Sequence, residues 1–121
     1  MRMRVSVLIL MGLLAVAGCS KSPSTDELIE DLSSADTGDR INAVRLLQHR
    51  QDDAAKVVPV LIEVLKEEPI NIRLSAAIAL GYYGADAEEA IPALEKLKDD
   101  TDARVREAAR IAISRIQGGN Q

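Results

Sequence analysis

The chain has little aromatic content: two Tyr in 121 residues, with no Phe and no Trp. Any core must be aliphatic, assembled from Ala, Leu, Ile and Val. A single Cys excludes an internal disulfide, and one Cys with one His excludes the usual zinc ligand sets. The same shortage argues against a metalloenzyme or a Cys/His nucleophile enzyme, so neither a metal nor a cofactor is expected. There is no basic excess either: 15 Lys and Arg stand against 19 Asp and Glu, a net charge of −4. General nucleic-acid binders carry the opposite balance. The longest apolar run extends only from Val5 to Ala17 and is interrupted by Ser6 and Gly12. It falls short of the roughly 20 residues a helix needs to span ~30 Å of hydrocarbon. The length allows one domain.

What is present begins at the N-terminus. Arg2 and Arg4 form a positive segment ahead of the short apolar run, and small residues follow it, the pattern of an export signal. Val16-Ala17-Gly18-Cys19 resembles the lipobox of bacterial lipoproteins. The resemblance implies a signal peptide over 1–18, cleavage after Gly18, diacylglyceryl transfer to the Cys19 sulfur and acylation of the new amino group. It also implies a cell-envelope location. Ser20, rather than Asp, follows the Cys, which leans toward the periplasmic face of the outer membrane over the inner membrane. Cleavage would remove two of the 15 bases, leaving 13 against 19 acids and a net of −6. Attachment is then by lipid chains, each contributing ~0.8 kcal/mol per buried CH₂, and not by a polybasic patch. Residues 19–23 make a short linker: the four positions after the Cys reach at most ~14 Å.

The rest of the chain repeats at one fixed interval. The shift that lays Leu28 on Leu61 and Leu61 on Leu94 also aligns Arg40, Arg73 and Arg106, and Ala43, Ala76 and Ala109. Leu47, Leu80 and Ile113 form an aliphatic column, and Leu46, Ala79 and Ala112 a second one. Pro59 and Pro92 align with Asp26. Three units result, near 24–56, 57–89 and 90–118, each read as two helices. Ser24 with Glu27 signals a capping box. Pro59 and Pro92 are expected in the first turns of their helices, where a missing N–H is harmless. Breaks are expected at Asp36-Thr37-Gly38, Pro69 and Asp99–Asp102, with second helices starting near Arg40, Arg73 and Arg106. Gly84 and Gly118 mark two helix ends. Residues 57–84 and 90–116 resemble the HEAT-like repeats of phycobilisome bilin lyases, through the Pro opening, the acidic turn, and Ile72-Arg73 and Val105-Arg106. Repeat one, with Asp39-Arg40 and no Pro, is degenerate. The resemblance implies an all-α fold, an α-solenoid of three HEAT-like helical hairpins over 24–118, with a disordered tail at 119–121.

Placed at 100° per residue, the second helix of the middle repeat puts Ile72, Ala76, Ala79, Leu80 and Tyr83 on one face, against the first helix. Neighbouring repeats should take the flanks. Asn42, Ser75 and Ala108 run from polar to apolar, while Val44, Ala77 and Arg110 run the other way, as in a stack that ends at both termini. The repeated Arg is expected to tie neighbouring repeats, and Asp36 and Asp102 to cap helices. The acidic pairs Asp52-Asp53, Glu67-Glu68, Glu88-Glu89 and Asp99-Asp100 are read as solvated connectors. His49 has no carboxylate or Cys at helical spacing and reads as a surface residue. What remains is an apolar group, Leu74, Ile78, Tyr82 and Ile111, rimmed by Arg45 and Arg115 and by His49, on the face a solvated helix would fill with Lys, Glu or Gln. This set is the candidate protein-binding site. The expected function is a non-enzymatic, lipid-anchored scaffold that binds another envelope protein. The alternative is an accessory of a bilin-lyase-like or other envelope enzyme complex.

Overall fold

The computed structural model describes residues 21–67 and 69–118. The expected signal peptide over 1–18, Cys19 and the expected tail at 119–121 lie outside the described residues. Six α-helices appear among those described, and no strand: α1 Thr25–Asp31, α2 Thr37–Leu47, α3 Ala54–Val64, α4 Ile70–Tyr83, α5 Ile91–Leu97 and α6 Ala103–Ile116. Two 3₁₀ segments, Gln51–Asp53 and Gly84–Ala90, connect the hairpins. Helices pair as α1/α2, α3/α4 and α5/α6, and α4 packs between α2 and α6. The result is an all-α solenoid of three hairpins. The second helices meet closely, whereas α1 barely touches α3 and the segment Gly84–Ala90 packs on α3 where α5 would otherwise sit. The stack therefore curves with α2, α4 and α6 on its inner side.

Capping sets the starts. Ser24 Oγ accepts from the Glu27 amide at 3.2 Å while the Glu27 carboxylate accepts from the Ser24 amide at 3.0 Å, the reciprocal box. Asp36 accepts from the Asp39 amide at 3.0 Å and Asp102 from the Arg104 amide at 2.8 Å. The second helices begin at Thr37, Ile70 and Ala103, spaced as the repeat requires. Each starts one turn ahead of the Arg column where the sequence places it: Asp36 and Asp102 open α2 and α6 through side-chain caps, while Pro69 stands before α4 without one. Thr37-Gly38, read as a break, is the first turn of α2. Pro59 is a further correction: it lies inside α3, which begins at Ala54. Burial of Val57 and Val58 extends the helix ahead of the proline. Pro59 is itself exposed, so its missing N–H falls on the solvent side of the helix. Pro92 stands in the first turn of α5, as expected. Gly84 (φ 58°) and Gly118 (φ 86°) adopt the left-handed conformation at two helix ends.

The core is aliphatic. Leu28, Leu61 and Leu94 are buried, as are Ala43, Ala76 and Ala109, and Leu47, Leu80 and Ile113. Burying each Leu contributes about 1.5–3 kcal/mol. The small-residue column works by close approach: a Cβ on Gly81 would stand 3.2 Å from the Ala112 Cα. Position 112 thus faces the preceding repeat. That geometry explains one departure. Ala79 and Ala112 are buried, but Leu46 in the same column is 38% exposed, because no described repeat precedes α2. The flanks run as expected, with Asn42 and Arg110 exposed and Val44, Ala77 and Ala108 buried.

Candidate interaction surface

The arginine column is built into the turns. Arg73 is buried; its Nε donates to Asp100 at 3.1 Å and its Nη1 to the Glu67 carbonyl at 3.1 Å. It joins the middle repeat to the turn of the third. Arg106 makes the equivalent carbonyl bond, to Asp100 O at 2.7 Å, and Arg40 donates to Thr37 Oγ1 at 3.3 Å. Burial raises the Asp100 carboxyl, but the Asp102 amide and the Arg73 guanidinium outweigh it and hold the group below the ordinary carboxylate range. The Arg104 side chain, with the Arg104 and Val105 amides, overcomes desolvation and brings Asp102 down to about 2. Two acids read as solvated connectors are therefore structural. Asp100 pairs with Arg73, and Asp53 accepts from the buried Thr25 hydroxyl. An isolated acidic pair gives no sequence signal of this; the repeat register, which sets Asp100 over Glu67, does.

Tyr83 closes the inner side of the first junction. Its hydroxyl donates to the carbonyls of Leu47 and Arg50 just past α2, adding a bond from α4 to oxygens that already accept from the Arg50 and Asp53 amides. Burial, then the nearby Asp53 charge, pushes its phenol up to about 12.

The face left over carries the expected set. Ile78, Tyr82 and Ile111 are 42%, 48% and 46% exposed. Large apolar side chains this open, grouped on one face, mark contact sites more often than single exposed residues do. Ile78 and Tyr82 are one turn apart on α4. Ile111 faces Ile78 across the seam with α6, and both line a shallow hollow of about 40 Å³ floored by Ala77, Gly81, Ala108 and Ala112 and edged by Arg115. The Arg115 guanidinium lies 5.5 Å from the Tyr82 ring centre, a cation–π distance. His49, in the turn after α2, meets the same ring edge-on at 6.2 Å. The structure thus brings together Ile78, Tyr82, Ile111 and Arg115, with His49 against the Tyr82 ring at the rim. Arg45 is exposed in the last turn of α2, shortly before His49. Leu74 departs from expectation: it is half-buried and packs against the core at the edge of the group.

A second concavity escapes the sequence reading. A cleft of about 650 Å³ opens between α3 and α5, with Ile62, Leu65, Ala93 and Leu97 on its walls and Arg73 and Asp100 at its edge. It exists because the segment Gly84–Ala90 separates the two helices. The available sequence signal is the mismatch of 84–90 with 51–57. Among the described residues no cluster of His, Cys, Asp or Glu could hold a metal ion, and no helix is long and apolar enough to cross a membrane.

A sequence-family model for HEAT repeats matches residues 25–114. Comparison with curated proteins finds no significant match.

Proposed function

The chain belongs to the HEAT-repeat family, and from that premise we propose that it is a protein-interaction scaffold anchored by lipid in a bacterial cell envelope. The carrying observation is the open apolar group Ile78, Tyr82 and Ile111 on the inner side of the stack. Packing explains the other apolar columns of the second helices but not these residues. The partner is another envelope protein, and the role is binding without catalysis. The anchor is a lipidated Cys19, reached after removal of residues 1–18, on the periplasmic face of the outer membrane. It is supported by the basic start, the short apolar run and Val16-Ala17-Gly18-Cys19. The described fold begins its first helix at Thr25, so the short linker keeps the scaffold near the bilayer.

Two experiments test this reading. Mass spectrometry of the native N-terminus should show an acylated Cys19; an intact Met1 or an unmodified Cys19 contradicts the anchor. Affinity capture from detergent-solubilised envelopes should recover a partner with the parent chain and lose it with Ile78→Glu. Recovery of the same partner by a folded Ile78→Glu chain places binding elsewhere.

A further inference from the structure

The inner face differs in charge from the rest of the chain. Acids outnumber bases overall, 19 to 15. The outward positions of the three inner helices and of the turn after α2 are Ile41, Arg45 and His49; Leu74, Ile78 and Tyr82; Glu107, Ile111 and Arg115. Glu107 is the one acid in this set of nine, and it is already paired with Arg110 at 3.0 Å. Arg45 and Arg115 form no ion pair among the described residues; the contact seen for Arg115 is with the Tyr82 ring. An acidic protein thus keeps two guanidinium groups unneutralised on either side of its exposed apolar group. Between Ile78 and Ile111 lies the hollow of about 40 Å³, walled by Gly81 and three alanines. That is room for the tip of one aliphatic side chain and no more.

These features are complementary to one kind of occupant, and the geometry points to an acidic, amphipathic segment of the partner protein. An aliphatic side chain enters the hollow between Ile78 and Ile111. Carboxylates on its flanks meet Arg115 on one side and Arg45 on the other. Guanidinium groups suit this task because they bind a carboxylate through two parallel hydrogen bonds. Such charges set partner choice and encounter rate more than raw affinity. The assignment rests on the scaffold reading above and specifies its partner.

The test places a photo-crosslinking amino acid at Tyr82 of the full-length chain in its own cells, with the same group at Glu63, exposed on α3, as the comparison site. The expected result is capture from position 82, and not from 63, of one protein segment in which at least two Asp or Glu lie within two helical turns of an aliphatic residue. The double reversal Arg45→Glu with Arg115→Glu should cut the yield at least tenfold, and changing the segment's acids to Lys should restore it. Arg45→Gln with Arg115→Gln serves if the reversal lowers the amount of folded chain. A captured segment without acids, or a yield indifferent to both double variants, overturns the acidic specificity and leaves the scaffold reading standing. Capture of lipid alone, of a second copy of this chain, or of the same products from position 63 overturns both.

Discussion

Helices α4 and α6 occupy the same place in successive repeats and have the same length of 14 residues. Their surfaces differ. Where α6 carries Arg104, Glu107, Arg110 and Arg115, α4 carries Asn71, Leu74, Ala77 and Tyr82. A helix that is apolar nearly all round is normally enclosed. Enclosure explains part of α4: Ala77 is fully buried beneath the third repeat, whereas Arg110 at the open end is exposed. It does not explain Ile78 and Tyr82, which no helix among the described residues covers. The contrast separates two reasons for an apolar residue in one helix, packing within the stack and contact beyond it.

The largest expected effect sharpens the packing half. Leu80 is fully buried and its counterpart Ile113 is 8% exposed. Leu80→Ala should cost about 2–5 kcal/mol, and Ile113→Ala should cost less, because an end repeat relaxes around the gap. Urea unfolding of the chain from Lys21 onward measures both; equal losses would deny α4 its central position. The arginines come next. Arg73→Met strands the nearly buried Asp100 carboxylate and should cost about 2–4 kcal/mol, whereas Arg106→Met, which loses bonds to carbonyls only, should cost nearer ~1 kcal/mol. The pair also predicts an acid limb. Asp100 and Asp102 titrate below ordinary carboxylates, so the stability they contribute is fully present above the unfolded value of about 4 and is lost as pH falls through their folded values. Arg73→Met should flatten that limb; an unchanged slope would remove Asp100 from it.

Smaller effects probe the seams. Gly81→Leu should overpack the contact with Ala112 by about 1–3 kcal/mol. Ser114→Leu, at the equivalent but exposed position, should stay within about 0.5 kcal/mol. If the two matched, the close approach of α4 to α6 would not exist. Tyr83→Phe removes the hydroxyl that ties α4 to the end of α2 and should cost about 1 kcal/mol, measured in the same unfolding experiment; a neutral result would mean that the tie contributes nothing beyond the backbone bonds those carbonyls already accept.

The repeat makes most of this readable. Three hairpins, the buried columns and the open group on the inner side follow from one fixed shift of the sequence on itself and a helical wheel. Boundaries are less legible where one residue type can do two jobs. A proline marks a helix start at Pro92 but is tolerated inside α3 at Pro59, which stands on the exposed side of that helix. Leu46 looks like core since its column is core, yet a column says nothing about whether a neighbour is present. Asp100 looks like a solvated connector because its partner Arg73 lies far back in the chain, in the preceding repeat. The α3–α5 cleft depends on the backbone of Gly84–Ala90, where Ala87 departs from helical geometry, and composition does not encode such a bend. The cation–π contact of Arg115 with Tyr82 needs the distance between two helices, which periodicity alone does not supply.

The central claim is that α4 carries an apolar surface its own fold does not use. The unfolding free energy of Ile78→Glu tests it most directly, read beside Leu80→Glu in the same helix. A half-exposed position that serves only outside contacts should change stability by no more than about 0.5 kcal/mol, while the charge at Leu80 should leave no cooperative transition. A loss above about 2 kcal/mol for Ile78→Glu, the scale of a core substitution, would make the residue part of the core and contradict the account.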